Sequence, residues 1–269
     1  MHGLGNDFVV VDCLSQSVSL QAQHIRAIAD RRTGIGCDQL LLVEPPRQPD
    51  IDFHYRIYNR DGSEAEQCGN GARCFARFIR DQKLSGKATL KISTNTGVIT
   101  VSRRTQSEYC VDMGEPNFNP AALPFEAAAE RDSYDLETSQ GVAQISAVSM
   151  GNPHAVLLVD DTARAAVSEL GPAIETHSRF PQRVNVGFMQ IVDRERIKLR
   201  VFERGVGETQ ACGTGACAAV AVGIRRGLLD QSVAVELTGG TLSIQWPGPN
   251  QSLTMTGPAS NVFDGKISL

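Results

Sequence analysis

The feature that most limits what this chain can fold into is an internal repeat. The stretch Glu64 to Cys74, EAEQCGNGARC, returns as ETQACGTGAC from Glu208 to Cys217. When Cys68 is set against Cys212, the same offset pairs Tyr58 with Phe202, Arg60 with Arg204, Glu64 with Glu208, Gly69 with Gly213, Gly71 with Gly215 and Ala72 with Ala216. Upstream, at a slightly larger offset, Gly5-Asn6 falls on Gly151-Asn152 and the amide Gln39 on the amide Asn185. Downstream, the apolar runs on either side of the TNTG turn at Thr94 to Gly97 parallel those from Val233 to Trp246. A period this long with matched ends reads as one fold written twice.

The repeat divides the 269 residues into two similar lobes, each large enough for its own core. The expected lobes are residues 1–115 and 116–257. The polar, alanine-rich stretch from Pro116 to Ser139 marks the boundary, and 258–269 pairs back onto the first lobe. Two lobes imply a cleft, and the cleft is where a ligand is expected.

Composition narrows the class of partner. A net charge of −4 without Lys/Arg-rich blocks argues against nucleic acid, and no apolar run is long enough to span a membrane. The N-terminus MHGLGNDF lacks the basic flank and apolar core of a signal peptide, so the expected compartment is the cytoplasm. Seven cysteines without an export signal read as reduced thiols rather than a disulfide framework.

Along the chain, Asn6 lies in the turn before the apolar run FVVVD. A helix is expected from Ser19 to Arg32, capped by the serine, with His24 on its surface. Gln39 stands at the edge of the strand LLLVE, and IDFHYRIYN alternates as a strand with His54 structural. Ala72, Phe75, Ala76 and Ile79 then recur at helical spacing, which puts Cys68 at a helix N-terminus and a stop near Gly86. In the second half, Asp161 to His177 reads as a helix interrupted at Gly171-Pro172. The small apolar run after Cys212 reads as a buried helix.

A thiol at a helix N-terminus faces unpaired amides, which lower its pKa and raise its thiolate fraction. The same amides suit a substrate carboxylate. Two such helix ends facing one cleft place a thiol on each face of the carbon next to that carboxylate. One thiolate then removes the α-proton while the opposite thiol delivers another. The remaining cysteines, Cys13, Cys37, Cys74, Cys110 and Cys217, read as small buried hydrophobes. No C-x2-C pair supports a zinc site, so no metal is expected.

The motifs MHGLGNDF, NRDGSEAEQCGNGARC, GNPH, NVGF and ERGVGETQACGTGACA resemble those of diaminopimelate epimerases, and the resemblance runs along essentially the whole chain. It implies two pseudo-symmetric α/β (α+β) lobes, each a mostly antiparallel sheet or barrel rolled around a central helix, with the active site in the cleft between them. It also implies no cofactor, and Cys68 and Cys212 as paired base and acid interconverting LL- and meso-diaminopimelate. By motif, carboxylate binding falls to Gly69, Asn70, Gly213 and Thr214. Further substrate contacts fall to Asn6, Gln39, Asn59, Asn152, Asn185, Glu203 and Arg204, with His154 and Glu203 assisting catalysis. The implied partner is a small amino-acid substrate, with no nucleic acid and no membrane, in a homodimer. Family members carry a few strand residues ahead of Met-His-Gly, so a clipped first strand and a less anchored Asn6 loop are expected.

Two alternatives remain at this point. A proline-racemase-like or other amino-acid racemase or isomerase on the same fold shares the two-cysteine plan. A thiol redox or binding protein would exchange electrons at the helix ends instead, although the thiols lie far apart in sequence.

Overall fold

The computed structural model describes residues 1–65 and 68–268; Glu66 and Gln67 of the first repeat copy and the terminal Leu269 lie outside it. The chain divides into two compact units, Met1–Asp112 with Thr256–Leu269, and Met113–Met255.

Unit 1 runs β1 (His2–Gly3), β2 (Asn6–Asp12), α1 (Ala22–Ala29), β3 (Gln39–Glu44), β4 (Phe53–Asn59), β5 (Glu64–Ala65), α2 (Gly69–Asp81), β6 (Thr89–Ser93), β7 (Val98–Arg103) and β8 (Glu108–Asp112). β2 pairs parallel with β3 and β4 parallel with β6, whereas β3–β4, β4–β5, β6–β7 and β7–β8 are antiparallel. The helical spacing of Ala72, Phe75, Ala76 and Ile79 produces the expected outcome, since all four are buried. α2 touches β1, β2, β3, β7 and β8, so the strands curl round it.

Unit 2 repeats the plan behind a hairpin whose second strand takes the place of β1. The hairpin is β9 (Tyr134–Thr138) with β10 (Gly141–Ser149), followed by β11 (Pro153–Leu158), α3 (Val167–Glu175), β12 (Asn185–Asp193), β13 (Arg196–Glu203), β14 (Gly207–Thr209), α4 (Gly213–Arg225), β15 (Ser232–Leu237) and β16 (Gly240–Gln245). β11 with β12 and β13 with β15 are parallel, matching the pair of parallel ladders in unit 1. α4 is buried over nearly its whole length and touches β10, β11, β12, β13 and β16. Both units are therefore mixed α/β with mostly antiparallel strands around a buried helix.

β17 (Thr254–Pro258) leads the chain back to unit 1. His2 and Ser260 bridge antiparallel with two backbone bonds of 2.9 Å. Met1 donates to Phe8 O at 2.9 Å and accepts from Phe8 N at 2.8 Å, so the short first strand still ties down the segment that carries Asn6.

Four local expectations are corrected. α1 begins at Ala22 rather than Ser19, because Gln21 makes the cap: its backbone N–H donates to His24 Nδ1 at 3.1 Å. Asn6 opens β2 instead of lying in the turn, which is formed by Leu4 and Gly5 at positive φ. α2 stops at Asp81, well before Gly86, with Lys83 taking the left-handed conformation at φ 56. α3 begins only at Val167 and passes through Gly171-Pro172. The proline forfeits one bond, to the carbonyl of Ser168, an exposed residue of the first turn where water is available. Gly171 is required by packing instead, since a Cβ there would lie 2.6 Å from Cγ of the Phe202 ring.

Candidate active site

Each unit places a cysteine as the N-cap of its buried helix, extended in backbone and without a side-chain capping bond, Cys68 before α2 and Cys212 before α4. The first intrahelical bonds are Ala72 N to Cys68 O at 2.8 Å and Ala216 N to Cys212 O at 3.0 Å. The amides of Gly69, Asn70 and Gly71, and of Gly213, Thr214 and Gly215, precede those bonds and form the positive end of each helix dipole.

In unit 1, β2 and α2 bring Asn6 and Cys68 together: Cys68 Sγ lies 3.6 Å from Asn6 Oδ1 and donates to it. Asn70 Nδ2 donates to the same oxygen at 3.2 Å. Asn6 Nδ2 in turn donates to Asp38 Oδ2 at 3.2 Å. Gln39 and Asn59 are register partners across β3 and β4, and Gln39 Nε2 donates to Asn59 Oδ1 at 3.0 Å. Of the residues singled out in this half, Asn6, Cys68 and Asn70 form one cluster and Gln39 with Asn59 form a neighbouring pair.

In unit 2, Asn152 Oδ1 lies 3.0 Å from His154 Nε2, and Asn152 Nδ2 donates to Thr214 Oγ1 at 3.3 Å. Thr214 Oγ1 stands 3.6 Å from Cys212 Sγ. His154 thus reaches the cysteine of its own unit through two intervening side chains. Burial, with the Arg204 charge added, pushes its pKa down to about 3, so the imidazole is neutral at physiological pH.

Cys212 departs from the expectation of a lowered thiol pKa. Burial, followed by the Glu203 carboxylate, pushes this thiol well above its ordinary value. Thr214 and the Gly215 amide act in the opposite sense, but desolvation of a thiolate outweighs them. Glu203 stands within hydrogen-bonding reach of that thiol and accepts from Thr209 Oγ1 at 2.5 Å. Among the other cysteines, burial raises Cys13 and Cys37 to about 11 and Cys74 to about 12.

The turn after β13 is fixed from several sides. Arg204 N donates to Asn185 Oδ1 at 3.0 Å, Arg204 Nη1 to Gln182 O at 3.2 Å, and Gly205 N to Glu175 Oε1 at 2.7 Å. Asn185 is buried and spends its Nδ2 on Pro153 O at 3.1 Å, so it positions Arg204 and the β11 start. Asp38, Thr209 and Glu175 were not singled out in the sequence. None of the three is a matched position of the repeat, and the family resemblance carried no role onto them.

The sequence matches the family described as diaminopimelate epimerase over residues 1–119 and 146–262. The chain belongs to the diaminopimelate epimerase family. Proteins named diaminopimelate epimerase from Stutzerimonas stutzeri and Pseudomonas entomophila are each 58% identical to it, covering 100% of this chain and 98% of theirs. One from Azotobacter vinelandii is 55% identical with the same coverage. Among solved structures, a probable proline racemase from Agrobacterium radiobacter K84 aligns with a TM-score of 0.73 at 17% identity, covering 100% of this chain and 91% of its own. A hydroxyproline epimerase from Agrobacterium vitis aligns with a TM-score of 0.68 at 16% identity, covering 96% and 87%. At such identities these two carry the fold alone. Like its relatives in the epimerase family, the chain is an isomerase by membership. Among the described residues no helix is long and apolar enough to cross a membrane.

Proposed function

We propose that this chain interconverts LL- and meso-diaminopimelate by a two-base mechanism, serving lysine and peptidoglycan-precursor synthesis in the cytoplasm. The observation that carries the reading is the pair of matched thiols, each the N-cap of a buried helix within a Cys-Gly-x-Gly-Ala segment. Inversion at an α-carbon requires a base on one face and an acid on the other, so Cys68 and Cys212 are the residues assigned to those roles.

The helix-end amides of Gly69, Asn70, Gly213 and Thr214 are the donors proposed for the substrate carboxylate, where charge builds as the proton leaves. Glu203 supports Cys212 as base, because a carboxylate against a raised thiol is placed to take its proton. Asn6 supports Cys68 as acid by accepting from the thiol. Arg204 is assigned the distal carboxylate, with Asn185 holding it in place. His154, neutral and buried, is assigned to orienting Asn152 and Thr214 rather than to proton transfer. Gln39 and Asn59 complete the proposed substrate contacts.

Incubation with LL-diaminopimelate in deuterated water tests the reading. Formation of the meso isomer with deuterium at the α-carbon is the expected result; the absence of both ends it. A homodimer belongs to the same proposal, and light scattering in solution reads it.

A further inference from the structure

In unit 1 a run of side chains links a guanidinium to a carboxylate through two amides. Arg73 Nη2 donates to Asn70 Oδ1 at 3.0 Å, Asn70 Nδ2 to Asn6 Oδ1 at 3.2 Å, and Asn6 Nδ2 to Asp38 Oδ2 at 3.2 Å. A guanidinium only donates and an ionised carboxylate only accepts, whereas an amide does either. With its ends fixed in this way the run has one direction, and each amide has one orientation that satisfies both neighbours. The consequence falls on Cys68. The atom Asn6 turns toward the sulfur is a carbonyl oxygen, which accepts the thiol proton and offers nothing to a thiolate.

We propose that Asp38 is a positioning residue for Cys68, acting through Asn6: its carboxylate keeps the Asn6 amide turned so that Cys68 is held as a proton donor. This rests on the reading of Cys68 as one of the two reacting thiols. Asp38 also has partners outside this run. Its Oδ1 pairs with Arg31 Nη2 at 2.8 Å, but Arg31 is half exposed and also pairs with Asp7 at 2.8 Å, so it keeps a partner without Asp38. Asp7 N also donates to Asp38 Oδ2, at 3.2 Å, and Asp38 N donates to Asp7 Oδ1 at 2.7 Å. An exposed ion pair of this kind contributes little.

The substitutions separate the two roles. Asp38→Ala removes the acceptor for Asn6, Asp38→Asn removes the charge but retains an acceptor oxygen, and Arg31→Met removes the ion pairs to Asp38 and Asp7 while leaving the Asn6 contact. Two quantities are read on the full chain. The first is the rate of Cys68 alkylation by iodoacetamide without substrate, followed by peptide mass spectrometry. The second is kcat/KM for LL-diaminopimelate.

With Asp38 gone the Asn6 amide is held from the Asn70 side alone and its oxygen spends less time on the sulfur; a thiol that loses this acceptor ionises more readily, so Asp38→Ala raises Cys68 alkylation by about three- to tenfold and lowers kcat/KM by about tenfold, the size of one hydrogen bond. Asn6→Ala gives the same acceleration, and the double variant goes no further, because both act on one contact. Asp38→Asn and Arg31→Met stay within about twofold of the parent, the span of an uncoupled surface change. Unchanged alkylation in Asp38→Ala, multiplying effects in the double variant, or an Asp38→Asn as altered as Asp38→Ala would each overturn the proposal. If the parent protein shows no epimerisation, the proposed activity fails by itself, while the alkylation comparison still decides the role of Asp38.

Discussion

His154 Nε2 lies 3.0 Å from Asn152 Oδ1, and the imidazole is 1% exposed. Burial first and Arg204 second hold it neutral, with a pKa moved from 6.5 to about 3. Below 6.5 the unfolded chain takes up a proton that the folded chain refuses. Stability present above that pH is therefore lost as the pH falls toward 3. Between pH 6.5 and about 4.5 the loss from this one group is about 2–3 kcal/mol. Denaturant unfolding of the parent and His154→Gln at both pH values checks it: the variant should lose less stability by about that amount. Equal losses would show that His154 is protonated in the folded state.

Replacing Cys68 or Cys212 singly by alanine should reduce epimerisation by at least about a thousandfold, because each face of the α-carbon then lacks its proton carrier. The fold should survive, since removing one sulfur, buried at Cys212 and partly buried at Cys68, costs only about 1 kcal/mol. Isomer turnover with circular dichroism on the same samples tests both halves. Retained turnover in either variant sinks the two-base mechanism.

Arg204→Ala should raise KM by about thirty- to a hundredfold, the loss of a charge-assisted contact to a carboxylate. Glu203→Gln should instead lower kcat, because Glu203 borders the Cys212 thiol rather than the distal end of a substrate. Steady-state kinetics separate the two effects. A changed kcat with an unchanged KM in Arg204→Ala would place Arg204 elsewhere than on the distal carboxylate.

The repeat made the helix-end cysteines legible, because both copies share the short-range pattern that starts a helix. The structure has Cys68 and Cys212 at the N-caps of α2 and α4. What the sequence missed depends on tertiary surroundings. Ser19 is a good capping residue, but Gln21 with His24 satisfies the start of α1 nearer its buried residues Ile25, Ile28 and Ala29. Gly171-Pro172 reads locally as a break, although the packing of α3 on Phe202 demands a glycine and tolerates the proline. The raised Cys212 pKa is the same lesson in chemistry. A helix N-terminus is visible in sequence, whereas burial and the approach of Glu203 are properties of the folded unit.

Gly171→Ala should destabilise the protein by about 1–3 kcal/mol, the usual cost of forcing atoms into a filled interface. The Phe202 ring, 2.6 Å from the new methyl, has to move. Thermal unfolding measures it, and an unchanged midpoint would mean that α3 shifts off β13 without resistance.

The bridge between His2 and Ser260 sets an order of events during synthesis. Unit 2 is one continuous stretch of chain and can fold while translation proceeds, as domains generally do. Unit 1 waits for residues that are made last. Until Pro258 emerges, the buried guanidinium of Arg73 lacks the carbonyl that its Nε reaches at 3.1 Å, and Arg77 Nη1 lacks Ala259 O at 3.3 Å. A released chain truncated shortly before Pro258 would therefore hold a finished second half and a first half still open to proteases and chaperones.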